Sequence, residues 1–299
     1  MRFIDRLVLA GTDEMIRVKC PAKVNLFLKV LGKRGDGFHE VQNVMQTITL
    51  FDQLTLRKQR EGVTLVCSGQ DVEGREEENL AFKAAELFLS RGHGMGGVHL
   101  DLNKSIPVAA GLGGGSSDAA CCLLALNEIF GSRLSPDDLR SLGADLGSDV
   151  PFFIEGGTAL CTGRGEVVKP LRAAPRFAGI LVAPEVCFKT CEMYALLSPA
   201  DSEGPDVDVM LRATEFGELS SISSVFFNSF RRVAFQKAPE LAPLESMLEK
   251  LGSLRVILCG SGPSLLGVFA SVAQAEAALQ RLRLAKGPKT RLAAVISSF

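Results

Sequence analysis

Apolar residues cluster in short, alternating runs along the first hundred positions. Residues 16–20 and 24–31 are rich in Val, Leu and Phe. A turn-like run, Gly32-Lys33-Arg34-Gly35-Asp36-Gly37, separates them from a further apolar run at 41–50. This pattern predicts strands at 16–20, 24–31 and 41–50, with two more at 54–57 and 63–67. The period then changes. Leu80, Ala84, Leu87 and Phe88 recur at helical spacing behind Asn79, which predicts a helix over Leu80–Ser90 with Asn79 as its N-cap. Residues 98–102 alternate as a strand. A glycine-rich stretch at 106–118 precedes an apolar helix at 119–129. Ser135-Pro136-Asp137-Asp138 combines an N-cap serine, proline at N1 and a carboxylate at N3, so a capped helix starts there and ends near Gly143 or Gly147.

The second half repeats the mixture. A buried strand is expected at 177–183, helices through to Leu251, and strands at 254–259 and Leu265–Phe269 around the turn Gly260-Ser261-Gly262-Pro263-Ser264. Val272–Leu284 reads as an Ala-rich amphipathic helix and 292–297 as a last strand. Strands and helices intermix without a regular βαβ cadence, which predicts an α+β fold. The stretch 169–176, with Pro170 and Pro175, is the expected boundary between two domains, 1–168 and 169–299. No internal repeat is visible.

Composition narrows the function classes. At 299 residues the chain has room for one large domain or two ordinary ones. Hydrophobic residues make up 46% and charged residues 22%, enough for a sizeable core. A formal charge of −1 argues against a protein that coats nucleic acid or an anionic membrane. The three histidines, His39, His93 and His99, are too few for a multi-histidine metal site. None of the eight cysteines forms a C-x-x-C pair. Cys187 and Cys191 are four apart and could share a helical face, but no second cluster completes a zinc site. Buried free thiols in a reducing compartment are the expectation. The acidic run 73–78 reads as a solvated loop. The apolar stretch near the N-terminus is too short for a signal segment and no 18-residue apolar run occurs, so a cytoplasmic protein with no membrane span is expected.

The most informative residues are Pro107, Val108, Ala109, Ala110, Gly111, Leu112, Gly113, Gly114, Gly115, Ser116 and Ser117. Four glycines in five positions are costly to order, and they let backbone amides close on an anion. The helix that follows adds its free N–H groups. Ser116 and Ser117 could cap that helix or touch a phosphate or its metal. A flexible linker is the alternative. The G-x-x-x-x-G-K-[ST] and G-x-G-x-x-G patterns both fail here, and protein-kinase signatures are missing, so any nucleotide site is of another type.

This glycine run resembles the ATP loop of the GHMP kinases, the superfamily of galactokinase, homoserine kinase and mevalonate kinase. Pro21-Ala22-Lys23-Val24-Asn25-Leu26-Phe27-Leu28, with Arg34, Asp36, Gly37, Phe38 and His39, resembles the N-terminal motif of the superfamily's cytidyl branch. Residues 146–153, Gly156-Gly157-Thr158-Ala159 and Gly163-Arg164-Gly165-Glu166 resemble the same branch, and the turn at 260–264 resembles the superfamily's third glycine motif. The likeness runs from about Val18 to the C-terminus and leaves residues 1–15 as a loose extension.

The resemblance implies two α+β lobes with the active site in the cleft between them. It implies an ATP-dependent kinase, with Mg²⁺, that phosphorylates the 2-hydroxyl of a cytidine-diphosphate-linked methylerythritol in the non-mevalonate isoprenoid pathway. Asp149 would take the hydroxyl proton, and Lys23 would pair with Asp149 and stabilise the developing alkoxide. From local sequence alone Asp149 also fits a helix cap, and Lys23 a surface charge. Asn25, Phe38, His39, Phe188, Gly260 and Ser261 would meet the substrate. His39 also fits a buried structural role and Phe188 core packing. Two departures stand out: Phe38 where the branch more often has Tyr, and Asn228-Ser229-Phe230-Arg231 where relatives usually carry Asn-Asp and an acidic residue. The partner is a small molecule, with neither nucleic acid nor membrane, in a monomer or homodimer. Another GHMP kinase of homoserine or mevalonate type, or a non-catalytic nucleotide-binding regulator, are the alternatives.

Overall fold

The computed structural model describes residues 2–69, 75–171, 176–216, 218–284 and 290–297. Two sheets organise it. The first is eight-stranded and built on a long antiparallel hairpin, β2 (Met15–Lys33) with β3 (His39–Gln59). Strands expected at 16–20 and 24–31 are one strand, and those at 41–50 and 54–57 are another. Bulges at Pro21/Ala22, Asn25/Phe27 and Val30/Gly32 let the hairpin bend without breaking its ladder. β1 (Val8–Gly11) pairs with β2, and β5 (Gly97–Lys104) pairs with β3 on one side and with β4 (Val63–Gly69) on the other.

Burial along β2 explains its place. Residues 15–20 alternate, because one face covers a core. Residues 21–28 are buried on both faces, because the second half of the chain packs over them. The first core lies between the sheet and α1 (Leu80–Ser90) and α2 (Gly114–Ile129). α2 is buried all round from Ser117 to Leu126, as its continuous small and apolar sequence demands. Asn79 caps α1 by accepting from the Ala81 N–H at 2.9 Å. α3 (Pro136–Leu146) opens on the full Ser135/Asp138 capping box. It stops at Leu146 before α4 (Val150–Glu155), and Arg140 donates to Glu155 at 2.7 Å across the two helices.

The chain then returns to the first sheet with β6 (Thr158–Thr162) and β7 (Val167–Pro170). The second sheet begins at β8 (Ala178–Pro184) and is four-stranded and antiparallel. The helices α5 (Thr190–Ala195), α6 (Val207–Phe216) and α7 (Leu219–Ser224) follow, then the two-residue β9 (Phe227–Asn228). β9 pairs in parallel with β2 and so belongs to the first sheet. α8 (Arg231–Lys237), α9 (Leu241–Lys250), β10 (Arg255–Leu258), β11 (Leu265–Phe269), α10 (Val272–Leu284) and β12 (Thr290–Ser297) complete the second lobe. A third apolar cluster joins the lobes: Ala22, Val24 and Phe27 of β2 pack with Ala110, Leu181 and Leu266. The residues 172–175 inside the expected boundary stretch lie outside the described ones, as do 73–74 of the acidic run.

Three expectations change. Residues 1–15 are not a loose extension. Ile4 and Leu7 are buried in the first core, and three residues of β1 (Val8, Ala10 and Gly11) pair with β2. α2 starts at Gly114, five residues before the expected 119, because glycine tolerates helical as well as loop backbone and here enters the helix. Cys187 and Cys191 are exposed, and Cys187 precedes α5 rather than sharing its face. All eight cysteines are free.

The reciprocal cap at α3 predicts a measurable cost. Ser135→Ala should lower unfolding free energy by about 1 kcal/mol in a urea titration, with turnover unchanged. An unchanged midpoint would show that the cap adds nothing.

Candidate active site

Between the lobes lies a cleft of about 610 Å³, a size suited to a small-molecule ligand. Lys23 lines it. The bulges in β2 allow this lysine to point inward, and its backbone N–H donates to the Leu112 carbonyl at 3.0 Å, tying strand to glycine loop. Its side chain is only 5% exposed. Lys23 Nζ donates to Asn25 Oδ1 at 2.8 Å, and Asn25 Nδ2 donates to Asn43 Oδ1 at 2.9 Å. The ammonium lies 3.6 Å from Asp149 Oδ2. Asp149 occupies the N-cap position of α4 without a side-chain cap bond, so its carboxylate is free for the cleft. The capping alternative for Asp149 and the surface-charge alternative for Lys23 both fall away on this geometry.

The loop from Pro107 to Ser116 lines one wall. Its last residues, Gly114 to Ser116, form the first turn of α2, whose N–H groups have no partner inside the helix. Gly113 is the N-cap, so neither serine caps the helix. Ser116 faces the cleft. Ser117 is buried, and its Oγ has no hydrogen-bond partner. Gly260 and Ser261 also line the cleft. The two glycine motifs touch backbone to backbone. Gly111 has φ +78°, and a Cβ there would overlap the Cys259 carbonyl. Gly260 has φ +56°, and a Cβ there would lie 2.8 Å from the Gly111 carbonyl oxygen and 3.2 Å from Lys23 Nζ.

The aromatic residues are arranged differently from the sequence expectation: Tyr194 lines the cleft, whereas Phe38 and His39 lie beside it and are not among its lining residues. His39 stacks on Tyr194 with ring centroids 4.6 Å apart. Burial, aided by the Lys33 charge, holds the His39 imidazole below its ordinary pKa. Burial and the Asp149 charge push the Tyr194 phenol up to about 12. Phe38 is 48% exposed under the Arg164 guanidinium, 5.0 Å from its ring centroid. Phe188 does not reach the cleft. Its ring turns into the C-terminal core beneath Gly262, so core packing accounts for it. Tyr194, one helical turn into α5, is the aromatic residue of this region that lines the cleft.

Sequence reasoning missed more than Tyr194. Its signal was that it is the single tyrosine of the chain. Asn43 sits on β3, and only strand pairing brings it to Asn25. A buried cluster anchors the glycine loop from behind: Lys104 donates to Asp52 and, at 2.6 Å, to Asp118. Asp52 Oδ1 accepts from the N–H groups of Ser105 and Ile106 at 2.5 and 2.8 Å, where the chain enters the loop. Burial pushes the Asp118 carboxyl up to about 7, opposed by Lys104 and reinforced by Asp52. Among the described residues no group of three or more His, Cys, Asp or Glu could cage a metal ion, and no helix is long and apolar enough to cross a membrane.

Residues 79–157 match the family described as GHMP kinases N terminal domain, and 210–289 match GHMP kinases C terminal. A curated protein of Pelotomaculum thermopropionicum named 4-diphosphocytidyl-2-C-methyl-D-erythritol kinase is 41% identical over 88% of this chain and 92% of its own length. The chain belongs to that kinase family. A kinase of the same name from Bacillus cytotoxicus is 41% identical over 84% of the chain and 87% of its own length. A crystal structure of 4-(cytidine 5'-diphospho)-2C-methyl-D-erythritol kinase aligns with TM-score 0.79 and 34% identity, covering 95% of this chain and 99% of that one. A homoserine kinase from Cytophaga hutchinsonii aligns with TM-score 0.75 at 18% identity over 97% of this chain and 96% of that one, a likeness of fold. As a GHMP kinase, this 4-diphosphocytidyl-2-C-methyl-D-erythritol kinase family member is an ATP-dependent small-molecule kinase.

The contact between the glycine motifs sets a test. Gly111→Ala forces the Cys259 carbonyl away, and turnover should fall by about tenfold or more in steady-state assays. Wild-type turnover in the folded variant would show that the motifs need not touch.

Proposed function

We propose that this chain transfers the γ-phosphoryl group of ATP to the 2-hydroxyl of 4-diphosphocytidyl-2-C-methyl-D-erythritol, a step of the non-mevalonate isoprenoid pathway. The observation that carries this reading is the Lys23–Asp149 pair, 3.6 Å apart and facing the glycine loop inside one cleft. Phosphoryl transfer asks a protein for positioning and charge stabilisation more than for covalent chemistry. Asp149 orients the acceptor hydroxyl and takes its proton. Lys23, held by Asn25, stabilises negative charge growing on the acceptor and transferring oxygens. The amides from Gly111 to Ser116 cradle the phosphates of ATP. His39 and Tyr194 receive the cytidine, with the neutral imidazole pairing to the base edge and an aromatic face for stacking; Phe38 and Arg164 border them.

Mg²⁺ fits the donor set as an ion carried by ATP rather than by a protein cage. Ser117 Oγ, buried beside the loop without a partner, and Ser116 are the hydroxyls that would hold it. When bound it would supply charge neutralisation to the phosphates. ATP as donor supports a cytoplasmic setting.

The run Arg34 to His39 with the His39–Tyr194 stack favours the cytidyl acceptor over homoserine or mevalonate. The paired Lys23 and Asp149 disfavour a non-catalytic regulator. A coupled ADP-release assay should give turnover that depends on the cytidyl acceptor and none with homoserine or mevalonate; the reverse preference would refute the assignment. Asp149→Asn should lower kcat by about 100- to 10,000-fold with the fold kept, and near-wild-type kcat would remove that residue from the chemistry. Because burial and the Lys33 charge hold the His39 pKa below the ordinary histidine value, the neutral ring is the major form over a wider acid range than for an ordinary histidine. Acceptor KM should therefore rise as pH falls, with a midpoint more acid than that of an ordinary histidine, and His39→Gln should abolish that rise. An acid rise that persists in His39→Gln would place the titrating group elsewhere.

A further inference from the structure

Asn228 lies off the cleft wall, yet it holds two parts of the site in place. It is buried in β9, where the second half of the chain joins the first sheet by pairing with Leu28 of β2. Its side-chain amide is committed in full. Nδ2 donates to the Leu258 carbonyl at 2.8 Å and to the Gly260 carbonyl at 2.9 Å, and Oδ1 accepts from the Phe230 N–H at 2.8 Å. Two carbonyl oxygens converging on one atom demand a nitrogen with two hydrogens, and a carboxylate in that place would meet only repulsion.

Each partner leads to a different end of the cleft. Gly260 backs onto the Gly111 carbonyl and Lys23 Nζ. Phe230 packs edge-on against Tyr194, with centroids 4.9 Å apart at 87°, and Tyr194 stacks on His39. Ser229, between them, pins the same segment to β2: its N–H donates to the Leu28 carbonyl at 2.9 Å, and its Oγ accepts from the Val30 N–H at 3.1 Å.

We propose that Asn228 is a positioning residue that sets the Gly260 turn against Lys23 and, through Phe230, the Tyr194 face against His39. One amide thereby registers the phosphoryl-transfer end of the cleft with the base-binding end. The inference rests on the reading of Lys23 and Asp149 given above.

Asn228→Asp keeps the shape and removes both donors. Its carboxyl can donate to a carbonyl only when protonated. Near pH 8 the variant should lose kcat by about 100-fold, the scale of a small misplacement of reacting groups. Activity should recover as pH falls toward about 5, where a buried carboxyl gains its proton, an inverse profile that the wild-type protein lacks. Wild-type kcat at every pH in the folded variant would overturn the proposal, and so would a loss that stays the same at every pH. If Asn228→Asp does not fold, Asn228→Ser, which removes the pair of donors without adding a charge, should show a similar loss in a protein with a cooperative melt. Wild-type turnover there would also overturn it. Asp149→Asn run alongside keeps the two failures apart: its full activity would sink the reading of the reacting pair, whatever Asn228 does.

Discussion

The geometry of the candidate active site depends on two glycine motifs meeting backbone to backbone beside one buried lysine. Gly111 and Gly260 come from different lobes: a Cβ on Gly111 would overlap the Cys259 carbonyl, and one on Gly260 would crowd the Gly111 carbonyl. Lys23 lies beside them, its ammonium held by Asn25 and 3.6 Å from Asp149. A buried ammonium is tolerable only with such partners, since desolvation of an unpaired charge costs several kcal/mol.

The rest of the fold serves that contact. β2 delivers Lys23 and Asn25 through its bulges, and α3 and α4, linked by Arg140 and Glu155, deliver Asp149. The buried Asp52–Lys104–Asp118 cluster fixes where the loop leaves β5. The interlobe cluster around Phe27 resists separation, because opening it would expose large apolar side chains, each worth several kcal/mol when truncated. A near-neutral net charge is compatible with phosphate chemistry, because backbone amides and one lysine at the site replace a basic surface.

Local signals in the sequence carried far where a few neighbouring residues decide the outcome. The Asn79 cap, the Ser135–Asp138 box and Val272–Leu284 follow from side chains within one turn. The glycine run, Lys23 and Asp149 were legible as motifs. What failed to show was whatever depends on distant pairing. Asn43 reaches Asn25 only through the β2–β3 register, and β9 joins the first sheet from two hundred residues away. Phe188 and Tyr194 are six residues apart, and only the entry into α5 decides which ring faces the core and which the cleft. The start of α2 at Gly114 was hidden because glycine reads as loop although it also permits helix.

The central claim is that the ammonium of Lys23, and not merely the space it fills, drives the transfer step. Rapid-quench measurement of a single turnover with Lys23→Met, at saturating ATP and cytidyl acceptor, tests it most directly. The account predicts a transfer rate lower by about 1,000-fold or more, the scale of lost electrostatic stabilisation, with ATP still bound. A transfer rate equal to that of the wild-type protein would contradict it.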